Sequence, residues 1–245
     1  MCADQLALLT LGILGVAFLY SSVGLGGGTG YLAAMSLLGL APASMRPTAL
    51  VLNVLVASIG TWQFRRAGHF SWRLFWPFAL LSVPFAILGG TLALPVRVFR
   101  ILLGAVLLFS CARLLSRPPS EYSVSHPPRR LALSCGAGLG LLSGLTGIGG
   151  GVFLSPLLIS RRWAMPKSAA AVCAPFVLVN SVAGLAGNVA RAGHFPLFAM
   201  LLLIAAGAGG AAGSHFGSRR FSPSTVKRIL AVLLGIVAAR LLLNL

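Results

Sequence analysis

Apolar stretches alternate with short polar ones along the whole chain, and ten apolar segments can be drawn. In the first half they cover 6–23, 29–41, 47–64, 74–94 and 98–116. In the second half they cover 131–147, 151–160, 168–189, 196–214 and 225–243. The runs are continuous, whereas strands of a transmembrane barrel alternate with a period of two, so the pattern predicts helices. Most segments are long enough to cross a hydrocarbon core of about 30 Å. Segments 29–41 and 151–160 are not: at about 1.5 Å per residue they reach roughly half way.

Each short segment follows a glycine-rich break. The first reads Val23-Gly24-Leu25-Gly26-Gly27-Gly28 and the second Thr146-Gly147-Ile148-Gly149-Gly150-Gly151. Consecutive glycines stop a helix, since each costs about 1 kcal/mol against alanine. The short segments are therefore expected to be second limbs of hairpins whose tips are the breaks. Irregular backbone at membrane depth is tolerated only where protein or a water-filled cavity surrounds it.

The two breaks are 123 residues apart, and other matches keep the same order. Arg66-Ala67-Gly68-His69-Phe70 returns as Arg191-Ala192-Gly193-His194-Phe195, and Arg100-Ile101-Leu102 as Arg228-Ile229-Leu230. This predicts two homologous halves, 1–116 and 131–245. The polar stretch 117–130, with Pro118, Pro119, Pro127 and Pro128, links them.

Composition sharpens the class. The chain is 58% hydrophobic over 245 residues and has two acids, Asp4 and Glu121. So few charges cannot cover a soluble domain, so an all-α polytopic membrane protein is expected. The formal charge of +17 does not point to nucleic acid, because the 19 Lys and Arg sit in small groups between apolar runs, as in loops. No Lys or Arg precedes segment 6–23, so it lacks the basic region of a signal peptide. Cys2, Cys111, Cys135 and Cys173 have no CxxC spacing, so neither a disulfide framework nor a metal site is expected.

Loop charges set an orientation. The side away from the N-terminus receives fourteen of the 19 Lys and Arg, among them Arg65, Arg66, Arg129, Arg130, Arg161 and Arg162. The N-terminal side receives five: Arg46, Arg97, Arg100, Arg191 and Arg240. The positive-inside rule makes the richer side cytoplasmic, with linker 117–130 there and both termini outside. The parity is the same whether each hairpin re-enters or spans twice. The halves then begin on opposite sides: an inverted repeat, each half a Gly-broken hairpin plus about three transmembrane helices, as in many secondary transporters.

The candidate site is the pair of breaks: Gly24, Gly26, Gly27, Gly28 and Thr29 with Gly147, Gly149, Gly150 and Gly151. A helix starting after each break exposes N–H groups with no intrahelical partner and the positive end of its dipole. Glycine lets this backbone form a concave nest. Two such ends meeting on a pseudo-two-fold axis make an anion site. Close helix packing through small residues is the plainer reading of the same glycines. Neither acid lies within a span, so a cation would have carbonyls alone, whereas an anion needs no buried acid. An inside-negative potential expels an anion with about 2.3 kcal/mol per charge per 100 mV.

Polar residues inside apolar segments come next. Asn53, Ser58 and Gln63 lie in one; Asn180, Ser181 and Asn188 lie in another. Asn53 and Asn180 can donate to an oxyanion, or the amides can simply bond between helices. Aligning Gly60 with Gly184 pairs Asn53 with Val177, so the asparagines are not symmetry mates. His69 and His194 occupy matching loop positions, where a titrating gate and a helix cap are both open readings. No nucleophile–base pair, metal spacing or P-loop stands out, and no strand precedes the glycines as a dinucleotide fingerprint requires.

These motifs resemble the sulfite exporter TauE/SafE family over nearly the whole chain. The resemblance rests on Gly24-Leu25-Gly26-Gly27-Gly28, on Gly147-Ile148-Gly149-Gly150-Gly151 followed by Pro156-Leu157, and on Asn180-Ser181-Val182-Ala183-Gly184-Leu185. Ser222-Pro223 before Val226-Lys227-Arg228 fits as well. The family pattern has a proline five residues after each third glycine; Pro156 satisfies it, and Ala33 stands in the other place. Thr48-Ala49 and Val172-Cys173 stand where the family tends to have Thr-Ser. The resemblance implies a multi-pass inner-membrane carrier exporting small oxyanions such as sulfite or organosulfonates, with lipid and anion as its partners, no enzyme activity and no cofactor. A carrier of a cation or neutral solute, and a non-transporting membrane assembly protein, are the competing readings.

Overall fold

The computed structural model describes residues 3–115, 124–192, 198–219 and 239. Segment 225–243, the Arg228-Ile229-Leu230 match, Ser222-Pro223, Gly193-His194-Phe195 and most of the linker lie outside the described residues, residue 239 apart. Among the described residues there are helices and no strand. They run α1 (Ala3–Ser22), α2 (Gly28–Leu37), α3 (Pro42–Arg66), α4 (Trp72–Thr91), α5 (Val96–Leu115), α6 (Arg129–Thr146), α7 (Gly151–Ser160), α8 (Pro166–Ala192) and α9 (Phe198–Arg219). The described apolar segments thus become helices, and some, such as α3 and α8, reach into their polar flanks. Both short helices, α2 and α7, have 10 residues. Among the described residues, four helices are long and apolar enough to cross a membrane: Asp4–Ser22, Ala43–Arg66, Trp72–Thr91 and Pro166–Arg191. Large apolar side chains point outward, Ile204 at 85% exposure, as contact with lipid allows and contact with water does not favour.

The helices interlock. α4 packs against α6 and α8, and α9 packs against α1 and α3, so each late helix of one group lies among the other group. α3 and α8 pack on each other between them. Glycine stripes explain how closely they pack. Gly136, Gly140 and Gly144 of α6 lie on the carbonyl oxygens of Phe78, Ser82 and Ala86 of α4, where no Cβ would fit. Both sets step by four residues, one face of a helix, so the two helices run parallel. Gly209, Gly213 and Gly217 of α9 lie in the same way on Leu14, Phe18 and Ser22 of α1. Backbones this close replace side-chain packing with contact between main chains, as small-xxx-small helices do in membranes. α3 and α8 run antiparallel, with Gly60 near Ala174 and Gly184 near Leu50.

Apolar clusters fill the remaining space. Leu9, Ile13, Tyr20, Leu52 and Leu202 cluster with Tyr31 of α2. Phe78, Trp163 and Phe176 cluster with Leu154 and Leu158 of α7.

Arg46 corrects the sequence reading. It is not a loop cation on the N-terminal side: it lies inside α3 and is only 5% exposed. Its Nη1 donates to the Leu92 carbonyl at 3.2 Å; its Nη2 donates to the carbonyls of Gly89 at 3.2 Å and Gly144 at 2.9 Å. These carbonyls belong to the last turns of α4 and α6, where helices leave acceptors unpaired and their dipoles end negative. One guanidinium therefore caps two helix ends, and the ends in turn make burial of its charge tolerable.

Two stability tests follow from this packing. Gly140→Ala is expected to lower the unfolding midpoint in detergent, because its methyl meets the Ser82 carbonyl and overpacking costs roughly 1–3 kcal/mol. Gly138→Ala, whose Cβ meets nothing within 4 Å, is expected to leave the midpoint unchanged or raise it. Equal shifts for both would refute the close-contact account. Arg46→Ala is expected to cost roughly 3 kcal/mol or more, with Arg46→Lys in between, since three charge-assisted bonds are lost at once. An alanine variant that unfolds like the parent protein would show that the clamp adds nothing.

Candidate functional site

Each break is built from left-handed backbone. Gly24, Gly26 and Gly27 have φ of 72°, 81° and 143°. Gly147, Gly149 and Gly150 have φ of 81°, 86° and 78°. Left-handed backbone is strained for any residue with a Cβ, which is why glycine recurs at the same three places. The fourth glycine is needed for another reason. Gly28 lies on the Ile148 carbonyl with no room for a Cβ, and a Cβ on Gly151 would stand 2.5 Å from Val177 Cγ2 and 3.7 Å from the Leu25 carbonyl. The breaks therefore touch each other, Gly28 to Ile148 and Gly151 to Leu25. These two contacts map onto one another at an offset of 123 residues.

Both breaks rest at the middle of the long helices. Asn53 and Val177 are each the twelfth residue of their helix, in 25 residues of α3 and 27 of α8. A Cβ on Gly26 would stand 2.9 Å from Val177 Cγ1 and 3.3 Å from Asn53 Oδ1; one on Gly149 would stand 2.8 Å from Val177 Cγ1 and 3.1 Å from Asn53 Nδ2. The pairing of Asn53 with Val177 read from the sequence is thus a shared position against both breaks. An amide occupies one side of it and an apolar side chain the other.

The amide groups at the breaks are open. α2 begins after Gly27 and α7 after Gly150, and neither start has a side-chain cap. Gly27 N–H bonds back to Leu25, while those of Gly28, Thr29 and Gly30 have no backbone acceptor among the described residues. In the second break Gly147 N–H bonds to Ser143, and Gly149, Gly151 and Val152 likewise have no acceptor there. Two positive dipole ends therefore converge with no acid beside them: Asp4 lies in the first turn of α1 and Glu121 outside the described residues.

The other candidates divide. Asn53 is fully buried, donates from Nδ2 to the Ile148 carbonyl at 3.2 Å, and its Oδ1 has no partner. Asn180 is buried too, but donates to Phe176 of its own helix at 2.8 Å, and its Oδ1 is also unpaired. Thr29 turns its hydroxyl to Tyr20 OH at 2.8 Å, so its side chain is already paired. Gly24 packs on Ala170 and Gly147 on Arg46, behind the breaks; Gly27 is backed by Tyr31 and Gly150 by Phe176. Ala170 and Arg46 are equivalent positions, so only the second break has a cation behind it. Gln63 bonds across to the Ala211 carbonyl of α9 at 3.3 Å, and Ser58 bonds within α3. His69 is half-buried in the turn after α3.

In the sequence Ser181 is one polar residue among several, but the fold brings it beside the second break. Its buried Oγ has no partner and would be 3.0 Å from a Cβ on Gly149. It lies one helical turn beyond Val177, a spacing that points both side chains the same way. Tyr20 and Tyr31, which brace the first break, carry no polar pattern in the sequence that singles them out.

The chain is similar to known membrane transporters. The family model described as "Sulfite exporter TauE/SafE" matches residues 8–241. The chain is 41% identical over 232 residues to the "Probable membrane transporter protein y4hK" of Sinorhizobium fredii, covering 93% of this chain and 94% of that protein. No solved structure matches it. With helices that suit a bilayer and a match that spans nearly its whole length, the chain belongs to the sulfite exporter TauE/SafE family of multi-pass membrane transporters.

Proposed function

We propose that the protein is a secondary carrier that moves small anions, sulfite or organosulfonates, out of the cell. The observation that carries this reading is the meeting of two uncapped helix starts, with unpaired amides and no acid, midway along α3 and α8. An anion bound there takes its hydrogen bonds from backbone N–H groups and its charge compensation from two dipole ends. The membrane potential then drives it outward without a coupling residue. The family matched and the printed name of the relative agree with transport but name no residue.

The membrane arrangement belongs to the same proposal. Residues 1–116 and 131–245 are two inverted repeats, and their breaks are re-entrant tips near the midplane. Equivalent helices of inverted repeats run in opposite directions, and α3 and α8 do so. The reciprocal packing of α4 with α6 and of α9 with α1 is what such a two-fold relation produces. The linker 117–130 faces the cytoplasm of an inner membrane, and both termini face outward. Burial of Arg46 lowers the count of loop cations on the outer side and so strengthens the charge asymmetry. In this conformation the two tips touch, so an ion reaches them only when α2 and α7 move apart. Helices that meet through glycine and one amide can separate without exposing a large apolar surface.

Flux into proteoliposomes under an imposed potential tests the reading. Sulfite should move toward the positive side, and Gly28→Val, which drives a side chain into the Ile148 carbonyl, should reduce the rate at least tenfold. Cation flux with the opposite voltage dependence would favour the competing carrier reading. For orientation, a cysteine at the exposed position Ser125, in a background without other cysteines, should react with an impermeant thiol reagent only from the cytoplasmic face. Labelling from outside would reverse the topology.

A further inference from the structure

The orientation of the Asn53 carboxamide says more about the ligand than the glycines do. The Ile148 carbonyl can only accept, so the group 3.2 Å from it must be the amide nitrogen, Nδ2. Oδ1 is thereby turned toward Gly26, where it is fully buried and has no partner. Buried acceptors in folded proteins are nearly always satisfied, and an unpaired one next to a binding site is a demand on the ligand. No group among the described residues donates to it: Val177 faces it from the equivalent position of α8, and Gly26 has no side chain. The cradle is therefore a set of backbone donors with the Asn53 carboxamide oxygen set into one side of it and the Ser181 hydroxyl, which donates or accepts, beside Gly149.

A fully deprotonated oxyanion has only acceptors and meets Oδ1 with repulsion. An anion that also carries an O–H or an ammonium N–H satisfies both halves of the cradle. Its oxyanion end takes the amides of α2 and α7, and its own donor takes Oδ1. Because the equivalent of Asn53 is a valine, the acceptor exists on one side of the pseudo-two-fold axis only, which gives the bound ion a head and a tail. We propose that the site selects small anions bearing their own hydrogen-bond donor, such as hydroxyalkyl or aminoalkyl sulfonates and protonated oxyanions, over donor-free anions of equal charge and size. This rests on the anion-carrier reading above.

Two sulfonates separate the proposal from that reading. 2-Hydroxyethanesulfonate and ethanesulfonate have the same charge and nearly the same size, and only the first has a donor. In proteoliposomes containing the parent protein, the hydroxylated ion should move at least about tenfold faster, since an unmet buried acceptor discriminates on that scale. Asn53→Val, which copies the residue at the equivalent position, should bring the two rates to within about twofold by slowing the hydroxylated ion. Equal rates in the parent protein leave anion transport standing and overturn the selectivity. A preference that survives in Asn53→Val also overturns it, because the acceptor must then lie elsewhere. If neither sulfonate nor sulfite moves, the carrier reading fails and the selectivity fails with it.

Discussion

Everything in this protein depends on ending two helices inside an apolar interior without wasting their backbone groups. Water is not there to pair with them, so each open N–H or C=O must find protein, an ion or a ligand. The chain handles the two kinds of end differently. Carbonyls at the ends of α4 and α6 are gathered by one buried guanidinium, Arg46. The N–H groups that begin α2 and α7 are left without side-chain caps, and the two breaks that carry them meet. Carbonyl ends are thus capped by a cation, whereas amide ends have no side-chain cap.

Glycine makes this arrangement possible in two separate ways. At the breaks it permits left-handed backbone in six places, so the chain reverses within a few residues. Along α6 and α9 it removes the side chain where another helix's carbonyls must pass, so helices meet main chain to main chain. The stripe sits on α6 in one parallel pair and on α9 in the other, although α6 would correspond to α1 in the proposed repeat. The breaks differ too. Tyr20, Thr29 and Tyr31 form a hydroxyl cluster behind the first, whereas Ser143, Leu154 and Phe176 occupy the equivalent ground behind the second or next to it.

Much of the frame was legible in the sequence. Continuous apolar runs predict helices, two short runs after glycines predict limbs of about half a membrane, and the recurring offset predicts that the breaks are equivalent. These follow from composition and spacing alone, because the length of a run and the cost of consecutive glycines are local properties of the chain. The glycine stripes at 136, 140, 144 and at 209, 213, 217 were equally visible as a period of four, but their partners were not. Arg46 was misread because a lone arginine before a proline looks like a loop cation; only the positions of Leu92, Gly89 and Gly144 around it make burial possible.

What the sequence by itself determined is an all-helical membrane chain with two glycine breaks in matching places, few acids and a basic set of loops. The tertiary structure decided that the breaks touch, that Asn53 and Val177 face them together, that Ser181 joins them and that Asn180 bonds its own helix instead. It also decided which end of the Asn53 amide is free. These are facts about which groups meet once helices cross, mostly between different elements of the chain, and no local rule of spacing states which side chain will meet which carbonyl.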